Sequence, residues 1–267
     1  MLAFANAKIN IGLNITARRP DGYHLIETVF YPLKINDVVE LTDATELSCV
    51  VTGSDFGSAM EDNICFKAFK LLSQDFDIPA QQITLLKHIP VGAGLGGGSS
   101  DGAHVIRLLN TKFNLGLSPE DMEGYASRLG ADCAFFIRNK PVYATGIGDK
   151  FEPLELDLSR YSLVLVTPPI HVSTAEAYAG VVPNSLTEPL PELMKLPVAE
   201  WKDRVKNDFE DSVFLKYPAI RQIKQDLYAA GALYASLSGS GSSVYGLFKK
   251  EIKLPELEAI NKVYYQV

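Results

Sequence analysis

The sequence predicts a mixed α+β chain organised in two parts. Three observations carry this expectation. An alternating strand pattern opens the chain, capped amphipathic helices follow it, and the pattern loosens from Lys150 to Arg160 before strands and helices resume. The expected division is 1–155 and 156–267. A chain of 267 residues is long enough for two ordinary domains.

Ile9, Ile11, Leu13 and Ile15 alternate with Asn10, Gly12 and Asn14, the period-two signature of a half-buried strand. Lys8 falls on the face of Asn10 and Asn14. Arg18-Arg19-Pro20-Asp21-Gly22 reads as a tight turn. Thr28 to Tyr31 and Asp37 to Leu41 read as two further strands. Asp62 or Asn63 is placed to cap a helix running to about Leu72.

Val105, Leu108 and Leu109 form an apolar stripe at helical spacing. Ser118-Pro119-Glu120-Asp121 is a helix start, with a Ser cap, Pro at the first position and acids against the dipole; Gly130 is the expected stop. Tyr161 to Val166 reads as a strand and Val181 to Pro197 as a proline-rich surface loop. Pro218 opens a helix whose Ile220, Ile223 and Leu227 share a face, with Gly231 at its end. Two strands flank Ser238-Gly239-Ser240-Gly241-Ser242.

The strongest local signal is Pro90-Val91-Gly92-Ala93-Gly94-Leu95-Gly96-Gly97-Gly98-Ser99-Ser100-Asp101. Five glycines in seven residues remove the side chains that would hold an anion away from the backbone. Successive N–H groups leading into a helix make a phosphate seat, and the serine hydroxyls can add hydrogen bonds or help hold a metal ion. The alternative is a flexible loop with Ser99 or Asp101 acting only as an N-cap.

Other nucleotide motifs fit less well. Gly92, Gly94 and Gly97 satisfy GxGxxG, but Glu120 is the only loose candidate for the acid a dinucleotide fold requires. No lysine closes the turn as a P-loop would need. Asp55-Phe56-Gly57 is a chance DFG without an HRD motif.

The net charge of −7 and the lack of a long Lys/Arg cluster speak against a nucleic-acid partner. No apolar run approaches the ~20 residues that span a bilayer, and Met1 to Asn6 lack the features of a signal peptide. Cys49, Cys65 and Cys133 suggest no disulfide framework, so a reducing cytoplasm is expected. The four histidines show no metal-binding spacing, and no built-in metal site is expected.

Pro90 to Ser100 resembles the second signature of the kinases named after galactokinase, homoserine kinase, mevalonate kinase and phosphomevalonate kinase. Ala7-Lys8-Ile9-Asn10 and Leu237-Ser238-Gly239-Ser240-Gly241-Ser242-Ser243 resemble its flanking motifs, in the same order. With Arg19-Pro20-Asp21-Gly22-Tyr23-His24, Glu61-Asp62-Asn63 and Leu129-Gly130-Ala131-Asp132, the chain resembles the branch that phosphorylates the 2-hydroxyl of a cytidine diphosphate-linked methylerythritol, in non-mevalonate isoprenoid precursor synthesis.

The resemblance implies a two-domain small-molecule kinase fold with its active site in the interdomain cleft, using ATP and Mg2+. The first domain would bind ATP. Asp132 would be the catalytic base and Lys8 its cationic partner. Pro90, Gly92, Gly94, Leu95, Gly96, Gly97, Gly98, Ser99 and Ser100 would face the nucleotide phosphates, with Asn63 and Lys87 near the adenine. Asn10 would orient the methylerythritol; Tyr23 and His24 would hold the cytosine, Tyr178 would add a second aromatic wall, and Gly239 and Gly241 would close over the site.

On residues alone, Asp132 reads as a cap, Lys8 as a solvated edge-strand lysine, Tyr23 and His24 as ordinary residues after a turn, and Gly239 and Gly241 as a hairpin turn. Another kinase of the superfamily, of the mevalonate or homoserine type, or a non-catalytic nucleotide-binding protein are the rival readings, with a dinucleotide-dependent oxidoreductase behind them. One departure stands out: Cys133-Ala134-Phe135-Phe136 lacks the proline usual after the aspartate, which is expected to loosen that turn.

Overall fold

The computed structural model describes residues 1–53, 60–183 and 188–267. The Asp55-Phe56-Gly57 triplet lies outside the described residues, as do four residues of the expected loop from Val181 to Pro197. The chain forms two compact units from interleaved segments. One comprises Met1–Lys8, Pro32–Val91 and Gly96–Lys140; the other comprises Ile9–Tyr31, Gly92–Leu95 and Pro141–Val267. Strands β1 (Leu2–Arg18) and β2 (His24–Asp43) contribute residues to both.

In the first unit, β3 (Ser48–Gly53) runs parallel to β4 (Gln81–Lys87), which pairs antiparallel with Val38 to Asp43 of β2. Helix α1 (Ile64–Leu72) begins at Asn63, whose side chain accepts the Cys65 N–H at 2.8 Å, as expected of a cap. Helix α2 (Gly97–Phe113) packs on α1, on α3 (Pro119–Ser127) and on the short α4 (Phe135–Arg138). Val105, Leu108 and Leu109 are buried there with Phe69 and Leu72. Ser118 and Asp121 form a capping box at the start of α3. That helix ends at Ser127 rather than Gly130, because Leu129 and Gly130 both turn back to the Ala126 carbonyl.

In the second unit, β5 (Val142–Thr145) pairs with Thr28 to Phe30 of β2 and with β6 (Lys150–Pro153). The expected loosening therefore contains a strand. Next come β7 (Ser162–Thr167), α5 (Thr174–Ala179), α6 (Leu190–Met194), α7 (Phe209–Lys216) and α8 (Pro218–Ala229). The chain closes with β8 (Tyr234–Leu237), β9 (Val244–Phe248), α9 (Pro255–Glu258) and β10 (Lys262–Tyr265). An antiparallel sheet runs β10-β7-β9-β8, and α8 buries Ile220, Ile223 and Leu227 against β8 and β9. Helix α6 occupies part of the expected Val181 to Pro197 loop.

Two strand expectations need correction. β1 is buried on both faces, because the row of Lys8, Asn10 and Asn14 is also covered, at 3 to 6% exposure. β2 is one strand and not two. Pro32 lies between the stretch that pairs with β5 and the stretch that pairs with β4, so its missing N–H breaks neither ladder. Among the described residues, no helix is long and apolar enough to cross a membrane.

Candidate active site

In the first unit, the end of its β1 segment and the turn before α4 bring Lys8 and Asp132 together. Lys8 Nζ lies 3.3 Å from Asp132 Oδ2. The lysine is buried and the carboxylate half-buried, so the pair keeps one side open. Ala134, in the place of the usual proline, has φ −63°, a value proline itself would impose. The turn after Asp132 thus keeps a proline-like φ without the ring. Burial pushes the adjacent Cys133 thiol up to about 11, against the opposing pull of a hydrogen bond from Ser99, so it is a neutral packing group near neutral pH.

The N-terminus of α2 stands beside this pair. Gly96 occupies the cap position in the left-handed region, at φ 68°, and no side chain caps the helix. Ser100 N–H bonds back to the Gly96 carbonyl, while the helix itself has no acceptor for the N–H groups of Gly97, Gly98 and Ser99. Three such donors and the helix dipole are able to hold an anion. A Cβ on Gly96 would stand 3.1 Å from Lys8 Cε and 3.0 Å from the Phe136 ring, so the lysine stem runs against the start of the helix. Around Gly98 there is open space. Glycines, not Ser99 or Asp101, form the start of the helix.

The serines divide. Ser99 is half-buried, whereas Ser100 is fully buried and its hydroxyl lies 3.3 Å from His104 Nδ1. His104 Nδ1 is 2.8 Å from the Ser100 carbonyl, and Arg107 approaches Nε2. A carbonyl can only accept, so the Nδ1 proton points to it and Nε2 accepts from Arg107. Burial, with Arg107 adding to it, depresses His104 to about 4 despite the Ser100 bond.

Lys87 is placed away from any surface. Its Nζ bonds Asp101 Oδ2 at 2.7 Å and also Asp37 Oδ2, and all three side chains are buried. Burial pushes the Asp101 carboxyl up to about 8, with Lys87 opposing and Asp37 reinforcing. Burial alone would lower Lys87, but the Asp101 and Asp37 carboxylates outweigh it and raise the lysine.

The second unit holds the remaining expected residues. Asn10 Nδ2 donates to Thr28 Oγ1 at 3.0 Å, Asn10 N–H to Ser238 Oγ at 3.3 Å, and Tyr245 donates to the Asn10 carbonyl at 2.9 Å. Ser238 Oγ in turn donates to the Gly94 carbonyl at 2.8 Å. A Cβ on Gly94, where φ is 77°, would fall 1.9 Å from the Ser238 carbonyl oxygen, so only glycine fits. Leu95 is buried, Pro90 of the first unit is half-buried, and Gly92 stands against His171. Gly239 lies beside Asn10 Oδ1, Gly241 packs on Leu237, and Asn207 Nδ2 donates to the Leu237 and Gly239 carbonyls at 2.9 Å each.

His24 stacks on Tyr178 with ring centroids 4.7 Å apart and planes 18° from parallel, and Tyr178 meets the Phe209 ring edge-on. Tyr23 is exposed, at 61%. Burial and then Arg18 lower the His24 pKa, which favours a neutral ring. Sequence reasoning missed Asp37, Asp101, Thr28, Ser238 and Asn207 as supports. Asp101 and Ser238 lie inside quoted motifs; the other three stand in no motif that would single them out.

Comparison with known proteins fits these elements into one family. The GHMP kinases N terminal domain model matches residues 63–140, and the GHMP kinases C terminal model matches 190–266. A 4-diphosphocytidyl-2-C-methyl-D-erythritol kinase of Azobacteroides pseudotrichonymphae is 53% identical, covering 94% of this chain and 94% of its own. The chain belongs to that kinase family. A Bacteroides fragilis member of the family is 51% identical over 97% of this chain and 96% of its own. A crystal structure described as 4-(cytidine 5'-diphospho)-2C-methyl-D-erythritol kinase matches with TM-score 0.84 at 28% identity, covering 99% and 98% of the two chains. The mevalonate kinase of Methanococcus jannaschii, at 14% identity and TM-score 0.71 over 99% and 97%, shares the fold. The α+β small-molecule kinase fold and the ATP-dependent kinase class expected from the resemblance are those of this family.

Proposed function

We propose that the chain transfers the γ-phosphoryl group of ATP to the 2-hydroxyl of 4-diphosphocytidyl-2-C-methyl-D-erythritol, releasing ADP, in the non-mevalonate route to isoprenoid precursors. The observation that carries the catalytic part is the Lys8–Asp132 pair at 3.3 Å beside the uncapped start of α2. Asp132 takes the proton of the attacking hydroxyl, and Lys8 supplies positive charge where phosphate oxygens gather. The N–H groups of Gly97, Gly98 and Ser99 hold the phosphoryl oxygens.

Mg2+ belongs with ATP in this reading. Among the described residues no cluster of three or more His, Cys, Asp or Glu side chains offers a protein cage. That donor set fits an ion carried largely by phosphate oxygens and water, with the half-buried Ser99 hydroxyl as the protein oxygen at the seat. The ion would neutralise phosphate charge. Ser100, turned to His104, takes no part in holding it.

His24, Tyr23 and Tyr178 form the cytosine site of the proposal. Rings 4.7 Å apart leave no space for a base between His24 and Tyr178, so the exposed Tyr23 supplies the stacking face and neutral His24 the polar edge. Tyr178 backs His24, and Asn10 with Gly239 orients the alcohol. Lys87 and Asn63 serve the nucleotide from behind, since one is locked between carboxylates and the other caps α1. Three unpaired thiols at Cys49, Cys65 and Cys133 suit a reducing cytoplasm.

Competition tests the base assignment. Cytidine diphosphate should compete with the alcohol substrate, and uridine diphosphate should compete several-fold less well because its polar edge is reversed at position 4. Equal competition by the two would contradict a cytosine site.

A further inference from the structure

We infer that Asp37, Lys87 and Asp101 form a positioning triad that sets the first turn of α2 for the nucleotide's phosphates. The links are continuous. Asp37 Oδ1 accepts the N–H groups of His88 at 2.5 Å and Ile89 at 2.8 Å, which fixes the chain just beyond β4. Asp37 Oδ2 holds Lys87 Nζ, and Lys87 Nζ holds Asp101 on α2 at 2.7 Å. Asp101 lies one turn behind Gly97, the first residue of the helix.

The same parts form the floor of the seat. A Cβ on Gly97 would stand 2.9 Å from Ile89 Cγ2 and 3.4 Å from Asp37 Oδ2, so the backbone of the first turn rests directly on the residues the triad fixes. Burial makes the arrangement directional. The side chains of Asp37, Lys87 and Asp101 are 0, 2 and 1% exposed. Apolar residues of similar volume would hold two elements together at lower desolvation cost, but they would not specify one alignment as a charged, hydrogen-bonded link does. Alignment is what three N–H donors aimed at phosphate need.

The triad therefore acts through the helix, not by touching the nucleotide. Its effect is independent of the base, which separates it from an adenine contact by Lys87. The inference rests on the reading of the α2 start as the phosphate seat.

Two substitutions in the full-length protein test it. Asp101→Leu leaves Lys87 its partner Asp37, so the remaining pair stays balanced and the chain folds, but the link to α2 is cut. Asp101→Asn keeps shape and an oxygen for Lys87. Affinities for ATP and for inorganic tripolyphosphate are measured by calorimetry, alongside steady-state kinetics and melting. Asp101→Leu should weaken both ligands by the same factor, about tenfold, and raise KM for ATP with kcat within about threefold. Asp101→Asn should restore both affinities to within about threefold of the parent.

Unchanged affinities in folded Asp101→Leu would overturn the inference and leave the triad a purely structural core. Weakening of ATP alone, with tripolyphosphate unaffected, would overturn it in favour of a base contact. If Asp101→Leu does not fold, Asp101→Asn decides through Lys87→Met in its background: nucleotide affinity equal to the parent's in that double variant would likewise overturn it. A parent protein that binds neither ligand would instead sink the phosphate seat itself.

Discussion

Lys8 Nζ stands 3.3 Å from Asp132 Oδ2, with the lysine side chain 4% exposed and the aspartate 32%. The asymmetry matters for chemistry. A sealed cation holds its position, while a carboxylate open on one side can receive a proton from an incoming hydroxyl. The stem of the same lysine lies against Gly96, so the proposed base and the proposed phosphate seat share one support.

Asp132→Asn should fold and bind ATP, because the amide keeps the shape and an oxygen for Lys8 while giving up the negative charge and the basic site. Turnover should fall by about 10² to 10⁴. Rapid-quench kinetics with nucleotide binding measured in parallel would check this, and unimpaired turnover would remove the base assignment.

Tyr23→Ala should raise KM for the cytidyl substrate by roughly tenfold or more, the loss expected of one base-stacking surface. KM for ATP should stay within about twofold, since the glycine turn is untouched. Tyr178→Ala should act on the same parameter by releasing His24 from its 4.7 Å stack. Steady-state titration of each substrate against a saturating second one separates the two constants.

Two glycine substitutions should part company. Gly94→Ala puts a Cβ 1.9 Å from a backbone oxygen at φ 77° and should destabilise the fold by several kcal/mol. Gly98→Ala meets no atom within 4 Å and should leave melting nearly unchanged. It places a methyl group at the proposed phosphate seat, so KM for ATP should rise by about tenfold. Melting curves and ATP titrations of both variants are the check.

His104 makes stability sensitive to acid. Its native value of about 4 lies below the unfolded value of 6.5, so on acidification the unfolded chain takes up the proton first. The contribution is complete above pH 6.5 and is lost progressively down to about 4, amounting to about 3 kcal/mol as an order of magnitude. Urea unfolding of the parent and of His104→Gln between pH 7 and 4 should show a shallower decline in the variant. Parallel declines would place the acid sensitivity elsewhere.

Much of this was legible locally. Ser118-Pro119-Glu120-Asp121 and Asn63 start helices because the information sits within one turn of chain. Ile220, Ile223 and Leu227 announce the buried face of α8 for the same reason. What escaped depends on distant partners. Asp37 in a strand looks like a solvated acid until Lys87, fifty residues on, is found against it. Lys8 reads as an edge-strand lysine until Asp132 covers it, and the polar row of β1 reads as a solvent face until Thr28 and Ser238 bond Asn10. The gap read between Tyr31 and Asp37 closed because β2 runs through it, with Pro32 outside the stretches that pair with β4 and β5.

The most direct measurement is magnesium-dependent ATP consumption with 4-diphosphocytidyl-2-C-methyl-D-erythritol, mevalonate and homoserine offered separately. Turnover is expected with the cytidyl alcohol and with neither of the other two. Turnover with mevalonate or homoserine, or with none of the three, would contradict the proposed function.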